Sequence, residues 1–166
     1  DTFIMANKSD AIDAGANLVS AAGDMLDINL AAILGGIEVD LTSTTDQVST
    51  YNGSANAVIQ KGFESVDLSG YSGFGAVVTG TDVANTVYGS ANPDSVTLGA
   101  GNDTFVLDLD TTVDTVTGGT GTDVLAIASG ATIGTSDSFT NYTGFSKITA
   151  NGDAAGIMSF TPEATF

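Results

Sequence analysis

A polar residue and an apolar residue recur every nine positions through the middle of this chain. Asn85, Asp94 and Asp103 hold the polar place, and Val87, Val96 and Phe105 the apolar one. After a gap of eleven the register resumes at Asp114 and Val116, and nine returns at Asp123 and Leu125. Each unit opens on residues rich in Gly, Asn and Asp, which form turns because Gly reaches φ > 0 and Asn and Asp bond their own backbone. About three residues are left for a strand with one side chain pointing inward. A unit this short buries nothing alone, so its apolar residues find a core only by stacking on neighbouring units. The expected fold is all-β, a parallel β-roll or β-solenoid, degenerate in its N-terminal half.

A longer repeat lies over the short one. Asp1-Thr-Phe3 matches Asp103-Thr-Phe105, Asp24-Met-Leu26 matches Asp123-Val-Leu125, and Gly62-Phe63 matches Gly144-Phe145, at offsets of 102, 99 and 82. The second copy is thus 17 residues shorter between its last two anchors. That is close to two nonapeptides, or about one coil. Ile37, Val39 and Leu41 alternate as one face of a strand, and Phe63, Val66 and Leu68 suggest another coil. Phe3, Phe63, Phe105 and Phe145 are expected in the core or capping it. Ser9 to Gly23 is expected as a short helix or an irregular loop, 129–143 as a loop, and Gly152 to Phe166 as a cap over the exposed strand edges. Three stretches follow on one continuous domain: a degenerate module over 1–79, the regular repeats over 80–126, and terminal coils with a cap over 127–166.

The charge balance narrows function. Three lysines and no arginine stand against 20 acids, a net charge of −17. Seventeen of the acids are aspartates. This bias, with 21 glycines, suits tight turns and cation ligands, because Asp offers a hard oxygen close to the backbone. Nucleic acid needs a basic face, and an anionic membrane repels such a chain. No run approaches the about 20 apolar residues of a membrane span. With no His and no Cys, zinc sites, disulfides and the His- or Cys-dependent catalytic sets are excluded. Acid pairs for general acid–base catalysis arise by chance among so many aspartates, and the repeat accounts for the clearest ones, so no enzyme is expected. Asp108 and Asp110 alternate with Leu107 and Leu109 and so share a solvent face, a solvated edge in the first reading and an accessory calcium site in the second. Tyr51, Tyr71, Tyr88 and Tyr142 form no visible sugar platform. No secretory signal pattern is visible. The chain opens on Asp1, as a processed or excised piece would.

Gly118-Gly119-Thr120-Gly121-Thr122-Asp123-Val124-Leu125-Ala126 fits the nonapeptide G-G-x-G-x-D-x-U-x at every fixed position. Leu98 to Val106 fits it except for Leu98 at the first Gly and Phe105 at the aliphatic place. The chain therefore resembles the RTX, or haemolysin-type, calcium-binding repeat family over roughly 80–126. The resemblance implies a β-roll with calcium held between successive turns by Asp carboxylates and turn carbonyls. Asp103 and Asp123 are then the carboxylate ligands, with Gly99, Gly101, Gly119 and Gly121 as carbonyl donors. Asp94 and Asp114 are further expected ligands, matching the Asp place without the full glycine frame, whereas Asn85 replaces the Asp. Two nonapeptides per coil would put same-side partners about 18 residues apart, whereas Asp94 to Asp114 and Asp103 to Asp123 each span 20.

By the same resemblance the expected protein is a non-enzymatic, calcium-stabilised structural module of a secreted or cell-surface bacterial protein, of S-layer or adhesin type. It would leave by type I secretion and fold on extracellular calcium. Calcium is the expected partner, self-association into a lattice or filament suits this class, and neither nucleic acid nor membrane insertion is expected. The alternative is the C-terminal folding and secretion domain of a type I-exported enzyme. A surface-binding module for a glycan or ice needs an ordered face of Thr or Tyr, and no regular outward ladder is legible in the sequence.

Overall fold

The computed structural model describes residues 1–7, 9–15, 23–30, 35–107, 113–129 and 139–150. In chain order its strands are β1 (Thr2–Met5), β2 (Ile12–Asp13), β3 (Met25–Ile28), β4 (Ile37–Asp40), β5 (Val48–Tyr51), β6 (Ser54–Ala55), β7 (Gln60–Lys61) and β8 (Ser65–Asp67). Then follow β9 (Ala76–Thr79), β10 (Thr86–Tyr88), β11 (Ser95–Thr97), β12 (Thr104–Leu107), β13 (Thr115–Thr117), β14 (Val124–Ile127), β15 (Tyr142–Thr143) and β16 (Lys147–Ala150). The fold is all-β, and its strands are mostly parallel.

From β8 onward the chain alternates between two seven-stranded sheets. The first sheet runs β1-β3-β8-β10-β12-β14-β16, and the second β15-β13-β11-β9-β4-β5-β6. The nine-residue unit produces this alternation. One unit makes one strand and one turn, so every second unit returns to the same sheet and pairs in parallel with the strand two before it. Val87 thus faces Phe105, and Val96 faces Val116. β14 crosses the boundary at 126/127, and both sheets run through all three of the expected stretches.

The apolar places of the repeat are the inner faces. Leu26, Val66, Val87, Phe105 and Leu125 form an in-register column inside the first sheet, all of them buried. Ile37, Val39, Ala76, Val78, Val96 and Val116 line the second sheet's inner face, also buried. Phe63 and Phe105 are buried in this core, while Phe3 and Phe145 pack against it partly covered. The Phe3 and Phe63 rings meet edge to face at 5.6 Å.

The long duplication appears as matched register. Thr2 pairs with Met25 and Met25 with Ser65, and their counterparts Thr104, Val124 and Lys147 pair in the same order. The 17 extra residues of the first copy, however, do not add a coil. They form an excursion: β5 turns back antiparallel along β4, β6 returns antiparallel along β5, and β7 pairs in parallel with β2. The turn between β5 and β6 is Asn52-Gly53, with φ of 55° and 68° at its two centres. Two positive φ values in a two-residue loop match the right-handed twist of a hairpin, and Asn-Gly is the pair that adopts them most readily.

Two other expectations change. Tyr142–Thr143 is a strand rather than part of a loop, because its backbone completes the edge beside β13. The described part of Ser9 to Gly23 holds no helix, and β2 docks there on β7 instead. Residues 16–22, 130–138 and the expected cap over 152–166 lie outside the described residues, as do Asp108 and Asp110.

A buried glutamine ties the excursion to the core. Gln47 Nε2 donates to the Leu41 and Phe63 carbonyls, both at 2.8 Å, and its Oε1 accepts the Phe63 N–H at 2.9 Å. Gln47→Leu keeps the volume but strips three buried backbone groups of their partner. Each such group costs about 1–3 kcal/mol, softened by local relaxation, so a total loss of about 2–4 kcal/mol is expected. Urea unfolding of the variant against wild type under one metal condition measures it.

Candidate metal centre

The turns that lead from β9, β11 and β13 into the first sheet each end on a residue whose side chain reaches back along the stack. Asn85, Asp103 and Asp123 stand directly before β10, β12 and β14. The Asn85 N–H donates to Asp103 Oδ1 at 2.8 Å, and the Asp103 N–H donates to Asp123 Oδ1 at 2.9 Å. Each carboxylate thus takes the backbone proton of the rung before it. The column extends to Asp24 and Glu64, since the Asp24 N–H donates to Glu64 Oε2 at 2.7 Å. Sequence reasoning singled out Asp24 only as an anchor of the duplication and passed over Glu64. The signal was present, because Asp24 aligns with Asp123 at the offset of 99.

The opposite turns build a second column before the second sheet. The Ala76 N–H donates to Asp94 Oδ1 at 2.7 Å, and the Asp94 N–H to Asp114 Oδ1 at 2.9 Å. The expected site residues therefore fall on two columns. Asp103, Asp123 and the four glycines share one, and Asp94 and Asp114 form the other.

The glycine frame lets the turns stack. Gly99 and Gly101 have φ of 103° and 126°, and Gly119 and Gly121 repeat this with 103° and 146°. A Cβ on Gly119 would sit 1.9 Å from the Gly99 carbonyl oxygen, and one on Gly121 1.5 Å from that of Gly101. No side chain fits there. The Gly99 carbonyl accepts the Thr120 N–H at 2.9 Å, and Ala100 and Thr120 form a parallel bridge.

What occupies the place four residues before the polar residue separates the turns chemically, within a column as well as between columns. Ser90 precedes Asp94, where its N–H reaches Oδ2 at 2.7 Å and its hydroxyl reaches Oδ1 at 2.9 Å. Thr81 precedes Asn85 and caps Oδ1 by its N–H at 2.7 Å and by its hydroxyl at 3.1 Å. Gly99 and Gly119 hold the same place before Asp103 and Asp123 and have no hydroxyl to give. Both aspartates are fully buried, and their Oδ2 atoms have no hydrogen-bond partner. Sequence reasoning missed this sealing role of Thr81 and Ser90. The spacing of a hydroxyl residue four before the acid is its signal.

An orphaned carboxylate oxygen away from water disfavours the charged form. Burial pushes the Asp103 carboxyl up to about 6; the Asn85 N–H opposes the rise and the neighbouring Asp123 adds to it. Two hard oxygens facing inward, beside turns dense in carbonyls, fit a calcium ion. Among the described residues no three Asp, Glu, His or Cys side chains converge. A cation here would therefore draw most of its remaining oxygens from the backbone. Comparison with family models, with curated proteins and with solved structures returns no match.

The raised Asp103 value sets a pH dependence in metal-free protein. Between the unfolded value of about 3.9 and the folded value of about 6, the native state holds a proton that the unfolded chain has released. Stability from this group is therefore full below about pH 4 and is lost as pH rises through about 6. Denaturant midpoints in chelator should fall across that window and then level. Asp103→Asn keeps an acceptor for the Asn85 N–H without a charge, and should flatten that part of the slope.

Proposed function

We propose that this chain is a calcium-stabilised β-roll module of a secreted or cell-surface protein, with a structural rather than an enzymatic role. The observation that carries the proposal is the pair of buried, unpartnered oxygens, Asp103 Oδ2 and Asp123 Oδ2, on adjacent rungs of one turn column. A fold that buries two carboxylates with one open oxygen each leaves a place for a cation there. At neutral pH a divalent cation satisfies both oxygens and offsets part of the −17 charge. Asp103 and Asp123 are the charged ligands, with turn carbonyls around Gly99, Gly101, Gly119 and Gly121 as neutral ones.

The coiled alternation between two sheets supports the β-roll. Each coil contributes one strand to each sheet and one turn to each column, so a ligand between turns ties successive coils together. Such binding is folding free energy, because the unfolded chain has no assembled site. The environment that supplies calcium at the required level is extracellular, which suits a surface layer or adhesin exported by type I secretion. Asp94 takes a supporting part. Its carboxylate already accepts three protein donors, so it closes its turn without metal.

Circular dichroism of chelated protein during a calcium titration tests this, with magnesium as the control. The β signal and thermal stability should rise with calcium at a midpoint of about 0.1–1 mM, the range of extracellular modules, and not with magnesium. Asp103→Asn and Asp123→Asn should each weaken the response at least about tenfold, the loss of one charged ligand. Asp94→Asn should lower stability with and without calcium while leaving the midpoint in place. A spectrum already complete in chelator and indifferent to calcium overturns the metal reading.

A further inference from the structure

The outer face of the second sheet carries a full column of threonine hydroxyls with a partial second column beside it. Along β9, β11, β13 and β15 one outward column is Thr79, Thr97, Thr117 and Thr143. The neighbouring column is Val77, Ser95 and Thr115. All seven side chains are exposed. The parallel pairs run without a register shift, so columns and rungs repeat regularly, with about 4.8 Å between strands and about 6.6 Å between alternate residues on a strand. The Thr117 and Thr143 hydroxyls of neighbouring rungs lie 3.4 Å apart. Threonine is stiff at χ1, so its hydroxyl and methyl are already held in place before anything binds.

In a chain with 20 acids, the four strands of this array carry no charged side chain, and charge on this face begins at β4, whose Glu38 and Asp40 pair with Val77 and Thr79. A charged group holds a hydration shell that matches no crystal lattice. Rigid hydroxyls and methyls at a fixed repeat can instead hold water in register. A second copy of the chain is a poor occupant, because the array spans about 15–20 Å by 7 Å. That is well below the about 800 Å² per partner of a stable interface. The face also lacks an aromatic platform for a sugar ring, since Tyr142 belongs to the inner side, against Phe105 and Phe139.

We propose that this threonine face binds ice: its threonine column, with Ser95 and Thr115 beside it, orders water at spacings of the size of the oxygen repeat on a prism face of the ice lattice. The inference rests on the sheet and not on the metal, and it extends the surface-module reading by giving that surface a ligand.

Slow growth of an ice hemisphere in a solution of the full, calcium-loaded chain tests it, with an inert globular protein alongside. The chain should enter the ice and suppress recrystallisation, and the inert protein should be excluded. Thr97→Tyr and Thr117→Tyr each break the array at its centre while suiting an exposed strand. Both should fall to the level of the inert protein with an unchanged circular dichroism spectrum. Thr44→Tyr, exposed in the loop after β4, should behave as wild type. Exclusion of the wild-type chain from ice overturns the proposal, as does full uptake of the two face variants. So does sedimentation showing a wild-type dimer that either face variant dissolves, since the face is then a contact between copies. Because every arm uses calcium-loaded protein of verified fold, failure here leaves the metal reading to its own titration.

Discussion

The structure depends on one interaction repeated from rung to rung: a side-chain oxygen at the end of a turn accepts the backbone N–H of the equivalent residue one coil earlier. It does three things at once. It pairs an N–H just outside the strand, where the sheet ladder has stopped. It fixes register, because a slip by one residue would put a hydroxyl or a methyl where the acceptor must be. It also carries acids into the interior, since an oxygen that reaches the previous rung is covered by the next one. Burial of Asp94, Asp103, Asp114 and Asp123 follows from the ladder itself.

That burial creates the chemical question each turn must answer. A carboxylate has more acceptor sites than one N–H can fill. The turn at Asp94 answers with Ser90, and the turn at Asn85 removes the charge and adds Thr81. The turns at Asp103 and Asp123 place glycine there, and each leaves one oxygen open. Glycine is required at Gly119 and Gly121 by the close approach of the carbonyls beneath, so these turns cannot carry a sealing hydroxyl at that place. At Asp103 and Asp123 the glycine frame and an open carboxylate oxygen therefore occur together, and these two turns are left with a place for a cation.

Much of this was legible in the sequence, and for a physical reason. A period of nine is a strong constraint because one unit makes one strand and one turn, so the inward residues Val87, Val96, Phe105, Val116 and Leu125 follow directly from counting. The offsets of the long duplication were legible too, since they preserve strand register. What failed was length taken as topology. Seventeen extra residues equal about one coil in number, but Asn52-Gly53 sits among them as a hairpin signal, and local turn chemistry outranks a length match. The sealing of Asp94 and the opening of Asp103 were missed for another reason: their signal lies four residues before the acid, in Ser90 against Gly99. They depend on which atoms meet across a turn of four residues, and the type of residue at the acid place says nothing about that.

The outward face was hidden for a simpler reason. Threonine is frequent along the whole chain, and only strand pairing decides which threonines share a column. Once Val96 is placed inside, Ser95 and Thr97 must lie outside, and the parallel register then carries Thr97 onto Thr79 and Thr117. The same period thus produces an inner column of apolar groups, an edge column of acids and an outer column of hydroxyls. Each column meets a different medium: core, turn and solvent. A substitution at one place in the unit is therefore felt mainly along its own column, so this architecture can change what its surface binds without disturbing what holds its turns together.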